Sequence, residues 1–280
     1  MRIASVLVDG KETYGIVEED GVRIASEQTL ERYPDLKSAI AEGLQAFRTK
    51  VSDRMVSFES LRFLPVIPNP DKIFCVGINY ASHIAETGRP VPEHPVIFFR
   101  LPSSQVGSQE PMVKPVESEQ FDFEGELAVI IGRGGRRIPR RDALEHVAGY
   151  TCYNDGSVRD WQRHSSQFGP GKNFPGTGAF GPWLVTRDEI EDPSKLSLTT
   201  RLNGEIMQQA PISDLVFDVP ALVEYCSTFT KLEPGDVIVT GTTGGVGLFR
   251  DPQVWLKPGD KVEVEISQIG ILTNPIIAEG

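Results

Sequence analysis

The stretch Asp122-Phe123-Glu124-Gly125-Glu126-Leu127-Ala128-Val129-Ile130-Ile131-Gly132 concentrates the residues of this chain best suited to chemistry. Its β-branched run and glycine stop read as a buried strand. Side chains alternate along a strand, so Glu124 and Glu126 share a face with Ala128 and Ile130. Two carboxylates at the head of an apolar face must take up a proton or a cation, because an unpaired charge in low dielectric is costly. The segment Tyr150-Thr151-Cys152-Tyr153-Asn154-Asp155-Gly156 alternates like a second strand ending in a turn, and Asp155 can close a three-carboxylate cluster. Oxygen ligands without nearby His or Cys select a hard cation, Mg²⁺ first and Mn²⁺ or Ca²⁺ after it, and three protein ligands leave positions open for substrate and water. Asp122 either joins the cluster or caps the strand.

Residues 79–88 read as a short helix capped by Asn79 and stopped by Gly88, which sets His83 and Glu86 on one face. A histidine oriented by a carboxylate makes a general base for water, although a surface ion pair has the same spacing. Lys172 stands in Gly169-Pro170-Gly171-Lys172-Asn173-Phe174-Pro175-Gly176, where a fixed backbone could aim a cation at an oxyanion; an ordinary surface lysine is the plain alternative. Gly241-Thr242-Thr243-Gly244-Gly245-Val246-Gly247 resembles a phosphate cradle without the Gly-Lys-Ser/Thr that a P-loop requires, and its N–H groups suit a carboxylate. The arginines between Arg133 and Arg141 fail the dinucleotide pattern and are assigned no function.

The elements that must carry these residues are mostly strands. Asp9-Gly10 and Asp20-Gly21 punctuate an opening β-meander. Leu36, Ile40, Leu44 and Phe47 recur at helical steps, as one amphipathic helix or as two short ones around Pro34. A short strand is expected near 62–64, and the two prolines of VIPNPDK place a domain boundary at residue 68. Residues 1–68 then form a small N-terminal α+β domain, and residues 69–280 a β-rich α+β body in which 140–146 and 219–230 are the clear helices.

Composition excludes several function classes. The 280 residues hold 28 Lys+Arg against 39 Asp+Glu, a formal charge of −11, and a chain this acidic has no general attraction for nucleic acid or an anionic membrane. Cys75, Cys152 and Cys226 are odd in number and widely spaced, neither a disulfide framework nor a zinc site, which fits a reducing, cytoplasmic setting. No signal peptide or membrane span is expected.

With these segments in view the sequence resembles the fumarylacetoacetate hydrolase family, in particular its acylpyruvate hydrolase and oxaloacetate decarboxylase relatives, over roughly residues 70–277. The resemblance rests on ordered motifs: VGINYASHIAE, FDFEGELAVIIG, YNDGSVRDWQ, GKNFPGTGAFGPWLVT, LEPGDVIVTGTTGGVG and LKPGDKVEVEISQIGILTNPI. It implies a mixed β-roll or distorted β-sandwich catalytic domain, dimeric as a rule, and a divalent metal, Mg²⁺ or Mn²⁺, on Glu124, Glu126 and Asp155. It assigns Lys172 to the substrate oxyanion, His83 with Glu86 to a lid that activates water, and Gln162 and Thr242 to substrate contact. The family commonly has Lys-Pro where this chain has Arg100-Leu101-Pro102, so Arg100 is counted among the substrate-binding residues; Pro175 and Thr243 also depart from the family pattern. The implied activity is cleavage of a C–C bond in an acylpyruvate-type 2,4-dioxo acid such as fumarylpyruvate, through a metal-stabilised enolate. Oxaloacetate decarboxylation and isomerisation or hydration of a 2-hydroxy-dienoate use the same enolate and stand as alternatives. A metal-stabilised binding protein is the non-enzymatic one, and it would have no need of a general base.

Overall fold

A computed structural model of the chain describes residues 1–44, 47, 51–88 and 90–280. Two sheets organise it. The larger, twelve-stranded among the described residues, runs in the order Val51–Ser57, Gly21–Ala25, Lys11–Glu18, Arg2–Val8, Gly178–Thr186, Val147–Asn154, Gly125–Ile131, Val237–Thr242, Ile73–Gly77, Val96–Arg100, with Arg62–Phe63 beside Arg2–Val8 and Gln105–Val106 beside Gly178–Thr186 off that path. The smaller places Glu205–Pro211, Ser197–Leu202, Lys261–Ile266, Gly270–Ala278 and Met112–Lys114 side by side. With few helices, this is the α+β β-roll expected of the family.

The Gly125–Ile131 strand lies deep in the large sheet, hydrogen-bonded on one side to Val147–Asn154 and on the other to Val237–Thr242. Its alternation is read by two different cores. Leu127, Val129 and Ile131 face a core shared with Leu198, Val264 and Ile266 of the small sheet. Ala128 and Ile130 face another core, in which Leu36, Ala39 and Ile40 of the N-terminal segment cover Ile73, Cys75, Tyr153 and Val239. The face that carries Glu126 is thus closed from solvent by residues from the far end of the sequence.

The meander forms as expected, and the helical stretch resolves into Glu27–Arg32 and Leu36–Glu42, the latter with a capping box between Asp35 and Ser38. Of that stretch, residues 45 and 46 lie outside the described ones. The 62–64 strand appears as Arg62–Phe63. Residues 140–146 wind as a 3₁₀ helix and Val219–Phe229 as an α-helix capped by Asp218. Residue 68 marks no break in the sheet: Ile3 pairs with Leu184, so the first strand continues the large sheet directly.

Candidate active site

Glu124 precedes the central strand, Glu126 lies in its first turn of pleat, and Asp155 follows the neighbouring strand; the three offer carboxylate oxygens within 4.8 Å of one another, all buried. Gly125 between the glutamates has no room for a side chain, since a Cβ there would meet Thr200 Oγ1 at 2.0 Å. Glu126 is fixed from the next strand by the Gly241 N–H, which donates to its Oε2 at 2.5 Å.

Cations hold the other two acids. Lys172 Nζ, wholly buried at the end of the Gly169–Lys172 turn, donates to Glu124 Oε2 at 2.7 Å and to Asp155 Oδ2 at 2.6 Å. Arg159 reaches Glu124 Oε1 at 2.6 Å with one terminal nitrogen and Asp122 Oδ2 at 2.8 Å with Nε. Burial works to raise the Glu124 carboxyl, but Lys172 and Arg159 outweigh it and hold the group at about 2. Glu126 has no such partner, and burial, with Asp155 and Glu124 beside it, pushes it well above the ordinary carboxylate range. Lys172 is raised despite its burial, because Asp155 and Glu124 favour the ammonium.

These donors fit a hard divalent ion. An ionised carboxylate oxygen has two lone pairs, so those already bonded to Lys172 and Arg159 keep acceptor capacity, and a raised, unpaired Glu126 is a carboxylate that lacks a cation. His and Cys are absent from the cluster.

Asp122 joins no metal cluster. It accepts from Arg159 Nε and from the Gly247 and Leu248 N–H groups, and so ties the glycine loop to the acids. The cavity beside the acids, about 100 Å³, is lined by Glu124, Glu126, Lys172, Arg159, Gln162, Thr242 and His83 and closed by Val76, Ile78, Phe98, Phe168, Leu248 and Phe249. It is far smaller than the several hundred cubic ångströms of a drug-sized site. His83 Nδ1 donates to Glu86 Oε2 at 3.0 Å, while Glu86 Oε1 accepts from the Gly245 N–H at 3.0 Å. Burial would raise Glu86, yet the bonds from His83 and Gly245 hold it below its ordinary value. The His83 helix is Ala81–Thr87 and begins after Tyr80. Asn79 is not its cap, because its buried amide donates to the Phe217 and Thr240 carbonyls and accepts the Phe217 N–H.

Gln162 Oε1 accepts from Arg159 at 3.0 Å, and the residue lines the cavity. Thr242 Oγ1 donates to the Gly125 carbonyl and accepts from Gln208 Nε2 at 2.7 Å, so its hydroxyl is occupied by the framework. Arg100 corrects the expectation of substrate contact. It is buried behind the cluster and donates to Asp155 Oδ1 at 2.6 Å, to the Gly156 carbonyl and to Thr177, and it does not line the cavity. Sequence reading missed Arg159 and Gln208. The only signal for Arg159 was its place four residues after Asp155; Gln208, on a strand of the small sheet, bonds Gly125, Thr242 and the Thr243 carbonyl and had none.

Residues 72–277 match the fumarylacetoacetate (FAA) hydrolase C-terminal family. The mitochondrial oxaloacetate tautomerase fahd2 of Xenopus laevis is 43% identical over 228 residues, 81% of this chain and 72% of that protein. The solved fumarylacetoacetate hydrolase of Exiguobacterium antarcticum superposes with a TM-score of 0.87 at 36% identity, covering 100% of both chains. The maleylpyruvate hydrolase of Sphingobium sp. SYK-6, solved with manganese(II) and pyruvate, does so with a TM-score of 0.81 at 26% identity, again over 100% of both. Matched over most of its length in sequence and over all of it in fold, the chain belongs to the fumarylacetoacetate hydrolase family.

Proposed function

We propose that this protein interconverts the keto and enol forms of a small 2-oxo acid, with oxaloacetate as its first candidate, using Mg²⁺ or Mn²⁺ on Glu124, Glu126 and Asp155. The observation that carries this reading is the convergence of those three buried oxygens beside Lys172 in a cavity of about 100 Å³, whose volume suits a four-carbon acid better than a long-tailed acylpyruvate. The fahd2 relative, named an oxaloacetate tautomerase, supports it.

The divalent ion supplies Lewis-acid stabilisation of the negative charge that develops on the 2-oxo oxygen. Lys172, kept protonated, has a third and longer contact, Nζ to the Asp155 carbonyl at 3.4 Å, and can turn that N–H to the same charge. His83 has Nδ1 engaged by Glu86, which leaves Nε2 to take and return the C3 proton. Gln162 and Arg159 orient the substrate from the cavity wall.

Acylpyruvate cleavage is the second reading, favoured by the same His83–Glu86 pair, which could activate water. Absorbance of the oxaloacetate enol, followed with protein and Mn²⁺, tests the choice. Conversion no faster than without protein sinks the first reading, and more efficient acylpyruvate cleavage replaces it with the second. His83→Ala is expected to cost either reaction about 10²–10⁴-fold, but oxaloacetate decarboxylation much less, because that step needs no base. Glu124→Ala and Asp155→Ala should abolish divalent-metal binding by calorimetry; unchanged affinity in both would misplace the ion. We further propose a homodimer, from the resemblance, and a reducing cytoplasmic compartment, from three thiols that are all free and buried. No described helix is long and apolar enough to cross a membrane.

A further inference from the structure

Arg163 caps the short Arg159–Gln162 helix and lines the cavity at its exposed edge. Its Nε donates to the Arg159 carbonyl at 3.2 Å. That bond steadies the stem and leaves both terminal nitrogens of the guanidinium uncommitted. Among the described residues no carboxylate pairs with Arg163. The neighbouring cations are engaged by the acids: Lys172 by Glu124 and Asp155, Arg100 by Asp155, and Arg159 by Asp122 and Glu124 through Nε and one terminal nitrogen, which leaves its other terminal nitrogen as a single donor deep in the site.

Charge balance gives that free guanidinium a use. With a divalent ion in place, and leaving aside the His83–Glu86 pair at the cavity's edge, the ion together with Lys172, Arg159 and Arg100 exceeds the buried carboxylates of Asp122, Glu124, Glu126 and Asp155 by one positive charge. That surplus matches one substrate carboxylate. The rest of the lining includes Phe98, Phe168, Leu248 and Phe249, and an unpaired second carboxylate against such side chains is strongly disfavoured. Two parallel N–H donors on a planar fork are the geometry that binds a carboxylate bidentately.

We propose that Arg163 reads the distal carboxylate of a short 2-oxo dicarboxylate and selects such acids over 2-oxo acids with an uncharged tail. The inference rests on the 2-oxo acid reading of the cavity and adds to it the charge of the substrate's far end.

The test compares Arg163→Gln and Arg163→Lys with the unaltered chain, all with Mn²⁺. KM and kcat are measured for oxaloacetate enol–keto conversion, and calorimetry measures the dissociation constant of pyruvate, which has the 2-oxo acid head and no distal carboxylate. Arg163→Gln is expected to raise KM for oxaloacetate about 10- to 100-fold, with the loss in KM rather than kcat and the pyruvate constant unchanged. Arg163→Lys should recover part of it, keeping the charge but not the fork. An unchanged KM overturns the proposal. So does equal weakening of oxaloacetate and pyruvate, which would mean that Arg163 acts on the shared head or on the cavity's shape. If the unaltered chain neither binds pyruvate nor accelerates the conversion, the 2-oxo acid reading itself has failed, and this inference fails with it.

Discussion

Glu126 and Lys172 answer the same electrostatic problem in opposite ways. Lys172 supplies a permanent cation to Glu124 and Asp155, whereas Glu126 is pushed up by burial and by those two acids and has only the Gly241 N–H in compensation. A metal-free protein therefore holds a proton on Glu126 that a bound ion must displace. The sign follows: below the raised pKa of Glu126 the proton competes with the ion, so affinity for Mn²⁺ rises with pH up to that pKa. Calorimetry in two buffers of different ionisation enthalpy should show proton release on Mn²⁺ binding, and Glu126→Gln should show neither release nor tight binding. Lys172→Ala removes the cation between Glu124 and Asp155 and leaves each with a single arginine, Arg159 and Arg100, and breaking a buried pair of this kind costs up to about 3–5 kcal/mol. The loss of thermal stability should be large without metal and smaller with Mn²⁺, which replaces the missing charge; an equal loss in both conditions would detach Lys172 from the metal-binding acids. The acids were legible in the sequence because strand alternation puts them on one apolar face. Arg159 was not, since an arginine in VRDWQ looks like any solvated one until Asp122 and Glu124 are found beside it. Arg100 was misread because its position along the chain suggested the substrate side, and only the fold shows its guanidinium behind Asp155.

The central strand positions its acids through a contact that leaves no margin. A methyl at Gly125 would lie 2.0 Å from Thr200 Oγ1 and 3.3 Å from Val264 Cγ1, so the small sheet must move away or the Glu124–Glu126 backbone must shift. Overpacking of this kind costs about 1–3 kcal/mol. Gly125→Ala should therefore lower the melting temperature and weaken Mn²⁺ binding together. Thr200 Oγ1 is buried without a hydrogen-bond partner, so Thr200→Ala removes the obstacle at little polar cost. The Gly125→Ala/Thr200→Ala pair should regain much of both properties; additive losses would show that Gly125 serves some purpose other than clearance. On the other wall of the cavity, Ile78 has a φ of 58°, a region a β-branched residue rarely enters, just before the His83 helix. The flanking Asn79 and Gly88 predicted that helix, and with it the His83–Glu86 spacing, from local residues alone, and Gly88 does end it. The N-cap reading of Asn79 failed, because its partners are Phe217 and Thr240, far along the chain.

Long-range pairing also decides how the whole molecule holds together. The prolines of VIPNPDK do interrupt regular structure, and from sequence that interruption reads as a domain boundary. Yet Ile3 pairs with Leu184 across the sheet, and Leu36, Ala39 and Ile40 seal the face that carries Ile73, Cys75, Ala128, Ile130, Tyr153 and Val239. Nothing in the pattern of residues 1–68 states which surface they cover, since an amphipathic helix advertises an apolar face but not its partner. The energetic consequence is large. Exposing a large buried aliphatic or aromatic side chain costs about 1.5–3 kcal/mol, and losing the cover from Ile73, Ile130, Tyr153 and Val239 alone is comparable with the ~5–15 kcal/mol that holds a typical protein folded. Residues 69–280 expressed alone are accordingly expected to lack a cooperative thermal transition, to bind a hydrophobic dye and to hold Mn²⁺ weakly, because Ala128 and Ile130 belong to the strand that carries Glu126. A truncated chain that melts cooperatively and binds Mn²⁺ as the full chain does would show that the N-terminal segment is a true domain, and that the face carrying the metal-binding acids is stable without its cover.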